Sequence, residues 1–553
     1  MPTNNKRKMG FRRGRIRLTA VGAWMLALAT SGTVHAQTSE MKEGSDIEKR
    51  SWAQLQDAGK AVLGQDEVIS AKFVDDLLTE KLSSPTVKRK GITIVGGAIT
   101  GALNLRNSKI DLPIVRLASD IKERVDISDS EFTGSLSFRG SRLPGGLTAS
   151  RAIIGGSFQL GELDDTTWRS DWVADRGPTF PVIAFLKAPH LRLRGDFVIA
   201  GASIQRGIDL SNSDIGGSAT LMHLVSNGVD QSSIDITATK IDNELFIFDC
   251  DIHRPKSSTA QQYSTLALYD IKTNQTLYVT RSIVDGDFDI SDAMIAGDLN
   301  FRGSDFSEVI GHSMRISGSL MFGANTIEPI IYTRWHGPSI MDLTGTHVTA
   351  VRAPEITDAW PKHIHFEHFT TTSYSQEFCG GNGDNCPHSP TWYQNLLDRQ
   401  AASRASYEPY KQIAEMLTGQ GAVEEAARLS IRGHDVMRED ALQHHEFLSY
   451  ATMLFYGLTV GYGYHPEFAI IWAILFTVYG ALIFRKTPEA LQNHMPYGLA
   501  YSFDMLLPIV RLREKHYEID LAGRERYYFY VHKLVGWVLG LLLAAVMTGL
   551  TTR

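Results

Sequence analysis

An 11-residue spacing of apolar residues constrains the fold of this chain more than any other feature. The spacing recurs in three runs: Leu136, Leu147 and Phe158; Phe197, Ile208 and Ala219; Phe288 and Leu299. A fixed short period with strand-type alternation is typical of a solenoid, in which each coil buries its apolar face against its neighbours. Two units make a coil of about 22 residues. The pattern predicts a right-handed parallel β-helix over residues 91–354. A β-sandwich, the alternative fold, needs no such register.

The segments before and within the repeats differ in composition. Residues 1–36 combine a basic start, a short apolar core and the small-x-small sequence V-H-A. They predict a signal peptide or, as the alternative, an uncleaved anchor. Residues 37–90 carry apolar residues at helical spacing and predict a helical N-terminal cap. The repeat is interrupted at 161–190 and 222–281, which we interpret as insertions or irregular coils.

Two further segments follow the predicted β-helix. Residues 355–392 predict an irregular loop region with a disulfide, because Cys379 and Cys386 bracket a glycine-rich loop that can close on itself. Cys250 has no evident partner, which indicates a buried free thiol. Residues 393–446 are helical in pattern and predict a helix–turn–helix pair.

The last part of the chain, 447–553, predicts a membrane domain. Residues 468–484 and 529–550 are apolar and long enough to span a bilayer. The loop between them, 485–528, is rich in Lys and Arg, so the positive-inside rule places it in the cytoplasm. A span within 447–464 would reverse that placement, so we predict an interfacial helix there. The expected location is the bacterial inner membrane, with the β-helix domain on the periplasmic side.

The five letters T-V-G-Y-G, from Thr459 to Gly463, match a potassium-channel selectivity filter. A filter lies between two spans and follows a pore helix, whereas this stretch precedes the first full span. We therefore interpret it as a glycine-rich turn at the membrane surface. Its three tyrosines, Tyr456, Tyr462 and Tyr464, would form an interfacial belt.

Asp504 and Pro508 lie in an amphipathic segment between the two spans. An acidic residue in such an apolar stretch is a functional candidate, here as a pore-lining group with Pro508 beside it. The alternative interpretation is that Asp504 caps a helix or extends to the interface.

The stretch H-I-H-F-E-H-F places His363, His365 and Glu367 on one face of a strand, where imidazole and carboxylate groups could bind Zn²⁺. The alternative is that its phenylalanines seal the end of the solenoid. The acidic run around Asp285 and Asp287 is compatible with sugar or Ca²⁺ binding, although outward solvation is the commoner reason for such clusters. His434 is expected at the surface, near lipid headgroups.

Several activities find no support in the residues. The net charge of −6 indicates no nucleic-acid partner. The chain has no G-x-G-x-x-G after a strand, no redox C-x-x-C and no haem C-x-x-C-H motif, so we assign no cofactor and no catalytic residue.

Three stretches in order, "YEPYKQIAEMLTGQGAVEEAARLS", "LTVGYGYHPEFAIIWAILF" and "AYSFDMLLPIVRL", carry a family resemblance. Together with the final apolar run they resemble a poorly characterised group of bacterial membrane proteins with pentapeptide-like or β-helical repeats and a shared two-span C-terminus. Some members are labelled membrane-associated oxidoreductases. The last span is also similar, more weakly, to the inner helix of two-span ion channels. The resemblance implies an architecture and assigns no catalytic role.

These observations favour an envelope protein that is anchored in the lipid bilayer and presents its β-helix to a protein or glycan partner, without evident catalysis. A first alternative is a homo-oligomeric channel or transport component without potassium selectivity. A second is an enzyme that acts on envelope polysaccharide or on redox partners.

Overall fold

The computed structural model describes residues 41, 44–162, 180–229, 231–255, 263–325, 330–377, 386–400, 406–494, 498–507 and 511–548. The predicted signal peptide lies outside these residues. The fold is a long parallel β-solenoid followed by a helical region with two long apolar helices, which confirms the predicted fold class.

The strands of the first coils are β1 Lys60–Val62, β2 Val68–Ser70, β3 Ile92–Thr100, β4 Leu103–Asn104, β5 Lys109–Ile110, β6 Ile114–Ile121, β7 Val125–Asp126, β8 Glu131–Phe132, β9 Ser135–Ser137, β10 Leu147–Thr148, β11 Ile153–Ile154 and β12 Phe158–Gly161. The strands of the middle coils are β13 Val182–Ile183, β14 Leu186–Lys187, β15 Arg192–Leu193, β16 Phe197–Ile204, β17 Ile208–Asp209, β18 Asp214–Ile215, β19 Ala219–Asn227, β20 Ile234–Asp235, β21 Lys240–Ile241, β22 Leu245–Phe248 and β23 Asp251–His253. The strands of the last coils are β24 Leu266–Ala267, β25 Lys272–Thr273, β26 Leu277–Thr280, β27 Ile283–Asp289, β28 Met294–Ile295, β29 Leu299–Asn300, β30 Asp305–Ile310, β31 Arg315–Met321, β32 Arg334–Asp342, β33 His347–Ala353, β34 His363–His365 and β35 Thr370–Gln376.

The helices are α1 Asp46–Ala58, α2 Ala71–Leu78, α3 Pro85–Lys90, α4 Pro390–Leu397, α5 Glu408–Gly419, α6 Val423–Gln443, α7 Phe447–Val460, α8 Pro466–Phe484, α9 Pro488–Gln492, α10 Leu499–Leu506 and α11 Glu525–Met547.

A ladder of stacked apolar side chains runs through the solenoid and shows how the coils repeat. Its members are Leu103, Val125, Leu147, Leu186, Ile208, Ile234, Leu266, Phe288, Val309, Met341 and Ile364, each paired in parallel register with the next. All are buried. The intervals between them are 22, 22, 39, 22, 26, 32, 22, 21, 32 and 23 residues. The coil length is therefore close to 22 residues, and the longer intervals mark insertions between coils that keep their register.

Each coil also has a turn with left-handed backbone, four residues after its ladder residue. The residues there have positive φ, and most are not glycine: Asn107, Asp129, Arg151, His190, Asn212, Ala238, Asp270, Asp292, Ser313, Gly345 and His368. Left-handed backbone at an L-residue is uncommon and unfavourable, and Asn and Asp tolerate it best. Its repetition in each coil indicates that stacking of the coils imposes this turn whatever residue occupies it.

Residues 222–281, interpreted from the sequence as insertions or irregular coils, contain coils of 26 and 32 residues that keep the ladder register. Two domain boundaries need correction. The solenoid does not end at Pro354, since β34 and β35 add a further coil to Gln376. The cap at 37–90 is not only helical, since β1 and β2 both pair with β3.

Helices close both ends of the solenoid. Trp52 of α1 and Phe73 of α2 are buried at the N-terminal end. At the other end, α4 and α5 pack on the last coil, α6 packs on α4 and α5, and one continuous apolar core runs from the first coil to Leu429 of α6. The predicted helix–turn–helix pair thus caps the solenoid. Cys386 is disulfide-bonded, and its predicted partner Cys379 lies outside the described residues. Cys250 is a buried free thiol, as predicted.

Two helices are long and apolar enough to cross a membrane, Pro466–Phe484 and Glu525–Val546. Most of their surface is not covered by protein, and large apolar side chains such as Ile474 and Leu541 are exposed. α10 packs against both of them, and α7 packs against α8. The exposed apolar surface is what a lipid environment favours.

Candidate functional site

Asp504, near the C-terminal end of α10, lies at the centre of a hydrogen-bond network with the segment that follows this helix. Its side chain is fully buried. Oδ1 accepts from the backbone N–H of Leu512 at 2.9 Å, and Oδ2 accepts from the backbone N–H of Arg513 at 3.2 Å. The Nδ1 atom of His516 is 2.8 Å from Oδ2, and the Tyr517 hydroxyl donates to Oδ1 at 3.4 Å. The carboxylate thus holds residues 511–517 against α10.

This network fixes the charge state of Asp504. Burial alone raises its pKa, but the hydrogen bonds from the backbone and from His516 outweigh burial and hold the pKa below its ordinary value of 3.8. An ionised carboxylate that already accepts four hydrogen bonds has little capacity left for a passing ion. Pro508, its predicted neighbour in a pore, lies outside the described residues.

A second buried polar group lies where α8, α10 and α11 meet. The Ser502 hydroxyl donates to the carbonyl of Thr477 at 2.8 Å, and Nε2 of His532 donates to the carbonyl of Ser502 at 2.9 Å. Ser502 and His532 are completely buried. Polar groups in a membrane domain must find partners inside the protein, and these do. The arrangement connects both long helices to α10.

Two glycines make the close approach of α10 geometrically feasible. A Cβ atom at Gly536 of α11 would lie 1.9 Å from the carbonyl oxygen of Leu506, and one at Gly480 of α8 would lie 2.3 Å from Oγ of Ser502. Small residues commonly permit such contacts between membrane helices. The sequence contains this signal, but our sequence analysis did not use it.

The T-V-G-Y-G stretch forms the end of α7 and a 3-10 turn over Gly461–Gly463, with Tyr462 at a φ of 55°. Tyr462 does not take part in the predicted interfacial belt, because its side chain is buried in the protein. Its hydroxyl donates to Asp435 at 3.1 Å and accepts from Arg438 at 3.1 Å. Tyr462 therefore connects the turn between α7 and α8 to α6.

The sequence suggested that His434 of α6 lies at the surface near lipid headgroups. The structure instead packs its ring between two tyrosines. Its ring is stacked between Tyr407 and Tyr462, with centroid distances of 4.3 Å and 4.8 Å. Burial lowers the pKa of His434, so the neutral imidazole is favoured. An open groove of about 650 Å³ lies beside this stack, and Tyr407, Lys411, His434 and Tyr464 line it.

The predicted metal residues lie on the outer face of the last coil. On β34 Ile364 points into the core, so His363 and His365 point outward, and Glu367 is exposed in the following turn. Asp342, the register partner of His365, instead contacts His312 at 2.9 Å. Within the described ranges no group of three or more metal-binding side chains comes together. The structure adds no support for a metal ion there.

A buried ion pair inside the solenoid has no counterpart among the residues predicted from the sequence. Arg281 and Asp249 lie on neighbouring coils, with Nε 2.7 Å from Oδ1 and side-chain exposures of 3% and 5%. They are separated by 32 residues, an interval that contains an insertion. Only the register between neighbouring coils brings the two side chains together. Each charge offsets the cost of burying the other in the solenoid.

No family model, curated protein or solved structure matches this chain. The resemblance to two-span bacterial membrane proteins therefore stays a prediction.

Proposed function

We propose that this protein is a membrane-anchored binding platform, in which the β-solenoid is presented to a partner from the surface of the bacterial inner membrane. α8 and α11 are the anchor, and the basic segment between them is cytoplasmic. The solenoid then lies on the periplasmic side. A solenoid suits this function because it offers a long, regular surface to a protein or glycan.

The observation that carries the proposal is the continuity from the solenoid to the long helices. One apolar core extends from the first coil into α5 and α6. Tyr462 then connects α6 to the turn that leads into α8. A solenoid joined in this way has a defined position relative to the bilayer, whereas a flexible linker would leave it free.

Membrane fractionation of the full chain tests the anchor. We expect the protein to stay in the pellet after an alkaline carbonate wash. Placing charge in the span, by Ile474→Arg with Leu475→Arg, should prevent stable insertion because charge in a bilayer is costly. The matched control is Ile153→Arg with Met294→Arg, which changes exposed apolar residues of the solenoid. A wild-type protein in the soluble fraction would refute anchoring.

Protease treatment of intact spheroplasts tests the orientation. We expect degradation of the solenoid and protection of the basic segment 485–528, as the positive-inside rule requires. The opposite pattern would place the solenoid in the cytoplasm. The channel alternative gains nothing from Asp504, whose oxygens are occupied by its own network.

A further inference from the structure

One corner of the solenoid carries an aromatic ring at a position where both neighbouring coils have glycine. Arg124, Gly146, Phe185 and Gly207 occupy equivalent places in four successive coils, each directly before a ladder residue. A Cβ atom at Gly146, where φ is +78°, would lie 2.3 Å from the Phe185 ring. The half-buried ring thus lies over Gly146, in space that any other residue would fill.

Three cations surround this ring. The guanidinium carbon of Arg206 is 4.8 Å from the ring centroid, Nζ of Lys187 is 5.9 Å from it, and the guanidinium carbon of Arg124 is 6.0 Å from it. With Val229 and Gln231 they line an open cavity of about 170 Å³. We name these residues, Arg124, Phe185, Lys187, Arg206, Val229 and Gln231, the basic corner.

Two aspartates of the described residues lie near the basic corner, and each accepts hydrogen bonds within its own turn. Among the residues that the structure describes, the only ion pair of these three cations joins Arg124 to Asp126 at 4.0 Å. Asp126 also accepts a backbone N–H in its own turn at 3.0 Å. Asp209, the register partner of Lys187, accepts from the backbone N–H and hydroxyl of Ser211 at 3.0 Å and 2.7 Å. Among the described residues, three cations thus face two aspartates at this corner, on a chain whose net charge is −6.

Arg124 is held in place before any ligand arrives. Its Nε and Nη2 atoms donate to the Thr148 hydroxyl at 3.2 Å and 2.8 Å. Because the side chain is already ordered, less conformational entropy is lost on binding.

We infer that the basic corner binds an acidic sugar residue, with its carboxylate on the arginines and its C–H groups against the apolar surface that Phe185 and the side-chain stems of Arg206 and Lys187 provide. Guanidinium groups match carboxylates in geometry as well as charge. The Phe185 ring holds the Arg206 guanidinium above it, and the apolar stems of Arg206 and Lys187 suit the C–H groups of a pyranose. A nucleic-acid strand needs successive stacking rings, whereas glycines flank Phe185 at the equivalent positions of the neighbouring coils. The inference deepens the proposed platform function and rests on it for the class of partner.

Calorimetry on the purified full chain in detergent tests this inference. The probes are trigalacturonate, the neutral galactose trimer and inorganic phosphate. We expect trigalacturonate to bind, and its affinity to fall between about 50 mM and about 500 mM NaCl as the charges are screened. Arg206→Ala and Phe185→Leu should each weaken binding about tenfold, as expected for loss of a charge-assisted contact or of the ring. Arg315→Ala, an exposed arginine of a later coil, is the control and should change nothing.

Several outcomes would overturn the inference. Equal binding of the neutral trimer would remove the role of charge, and phosphate binding as tightly as trigalacturonate would remove the role of the sugar. An unchanged affinity in Arg206→Ala would place the site elsewhere. If no acidic sugar binds while the protein fractionates with the membrane, this inference fails and the anchored platform stands. If trigalacturonate binds but the protein does not fractionate with the membrane, the sugar-binding inference stands and the anchored platform fails.

Discussion

Replacing Asp504 by asparagine removes one of the two oxygens on which residues 511–517 depend. Oδ1 accepts the backbone N–H of Leu512, and Oδ2 accepts the backbone N–H of Arg513. An asparagine amide can present its oxygen to only one of them. His516 and Tyr517 can adjust their hydrogens, whereas a backbone N–H always donates. Either orientation therefore leaves one of the two backbone groups facing another donor.

The size of the effect follows from this count. A buried donor left without a partner costs about 1–3 kcal/mol, and the remaining bonds lose a charged acceptor. We expect about 2–3 kcal/mol less stability for the local structure, which raises the population of its open form about 30-fold or more. The overall fold should survive, because Asp504 lies outside the core of the solenoid.

Hydrogen–deuterium exchange of the peptide that covers 511–517 measures this population, since amide exchange reports local opening. The control is Glu514→Gln, which removes an exposed charge from the same segment. We expect this peptide to exchange faster in Asp504→Asn than in the wild type, and to exchange at nearly the wild-type rate in Glu514→Gln. Exchange within about twofold of the wild type in Asp504→Asn would refute the reasoning, since even a single orphaned donor costs more.

The remaining predictions concern pH and packing. Folding lowers the pKa of Asp504, so the stability that its carboxylate contributes should be complete above pH 3.8, its ordinary pKa, and should be lost as the pH falls through the lower pKa of the folded protein. Hydrogen–deuterium exchange of residues 511–517 at decreasing pH, corrected for intrinsic rates, measures this loss. Gly536→Ala should lower the melting temperature, as its Cβ would meet the Leu506 carbonyl, whereas Gly419→Ala, with open space around it, should not. Tyr462→Phe should lower stability by about 1–3 kcal/mol through two lost hydrogen bonds, measured by denaturant titration; an unchanged midpoint would contradict the contact.

The sequence predicted the solenoid because burial of the ladder residues is a local requirement that each coil must meet. Leu147 and Phe158 carry that requirement visibly, with glycine and serine between them. In the coils with Ile234 and Leu266 the same ladder is present, but the intervals of 26 and 32 residues hide it from a search for a fixed period. Insertions change the period of the sequence without changing the period of the structure.

The candidate sites were less predictable, since they depend on contacts between distant segments. Asp504 was recognised as unusual from its apolar neighbours, but its partners after α10 follow from the path of the chain. Tyr462 was assigned to a membrane belt because aromatic residues near spans usually lie there. The structure instead gives its hydroxyl two charged partners on α6. Aromatic residues are common at membrane interfaces, but the location of a particular tyrosine depends on the hydrogen-bond partners that its hydroxyl finds.

α7 is the element on which the position of the solenoid depends. Its exposed face is apolar, with Phe447, Leu448, Phe455 and Leu458 uncovered by protein. Its 14 residues extend about 21 Å, too short for the roughly 30 Å core of a bilayer. Trp472 of α8 donates to the carbonyl of Leu458 at 2.9 Å, so the C-terminal end of α7 lies beside the first turns of α8 and would meet the lipid there if α8 is a span. The solenoid end that rests on α6 is then held at the membrane surface, which limits the partners it can reach.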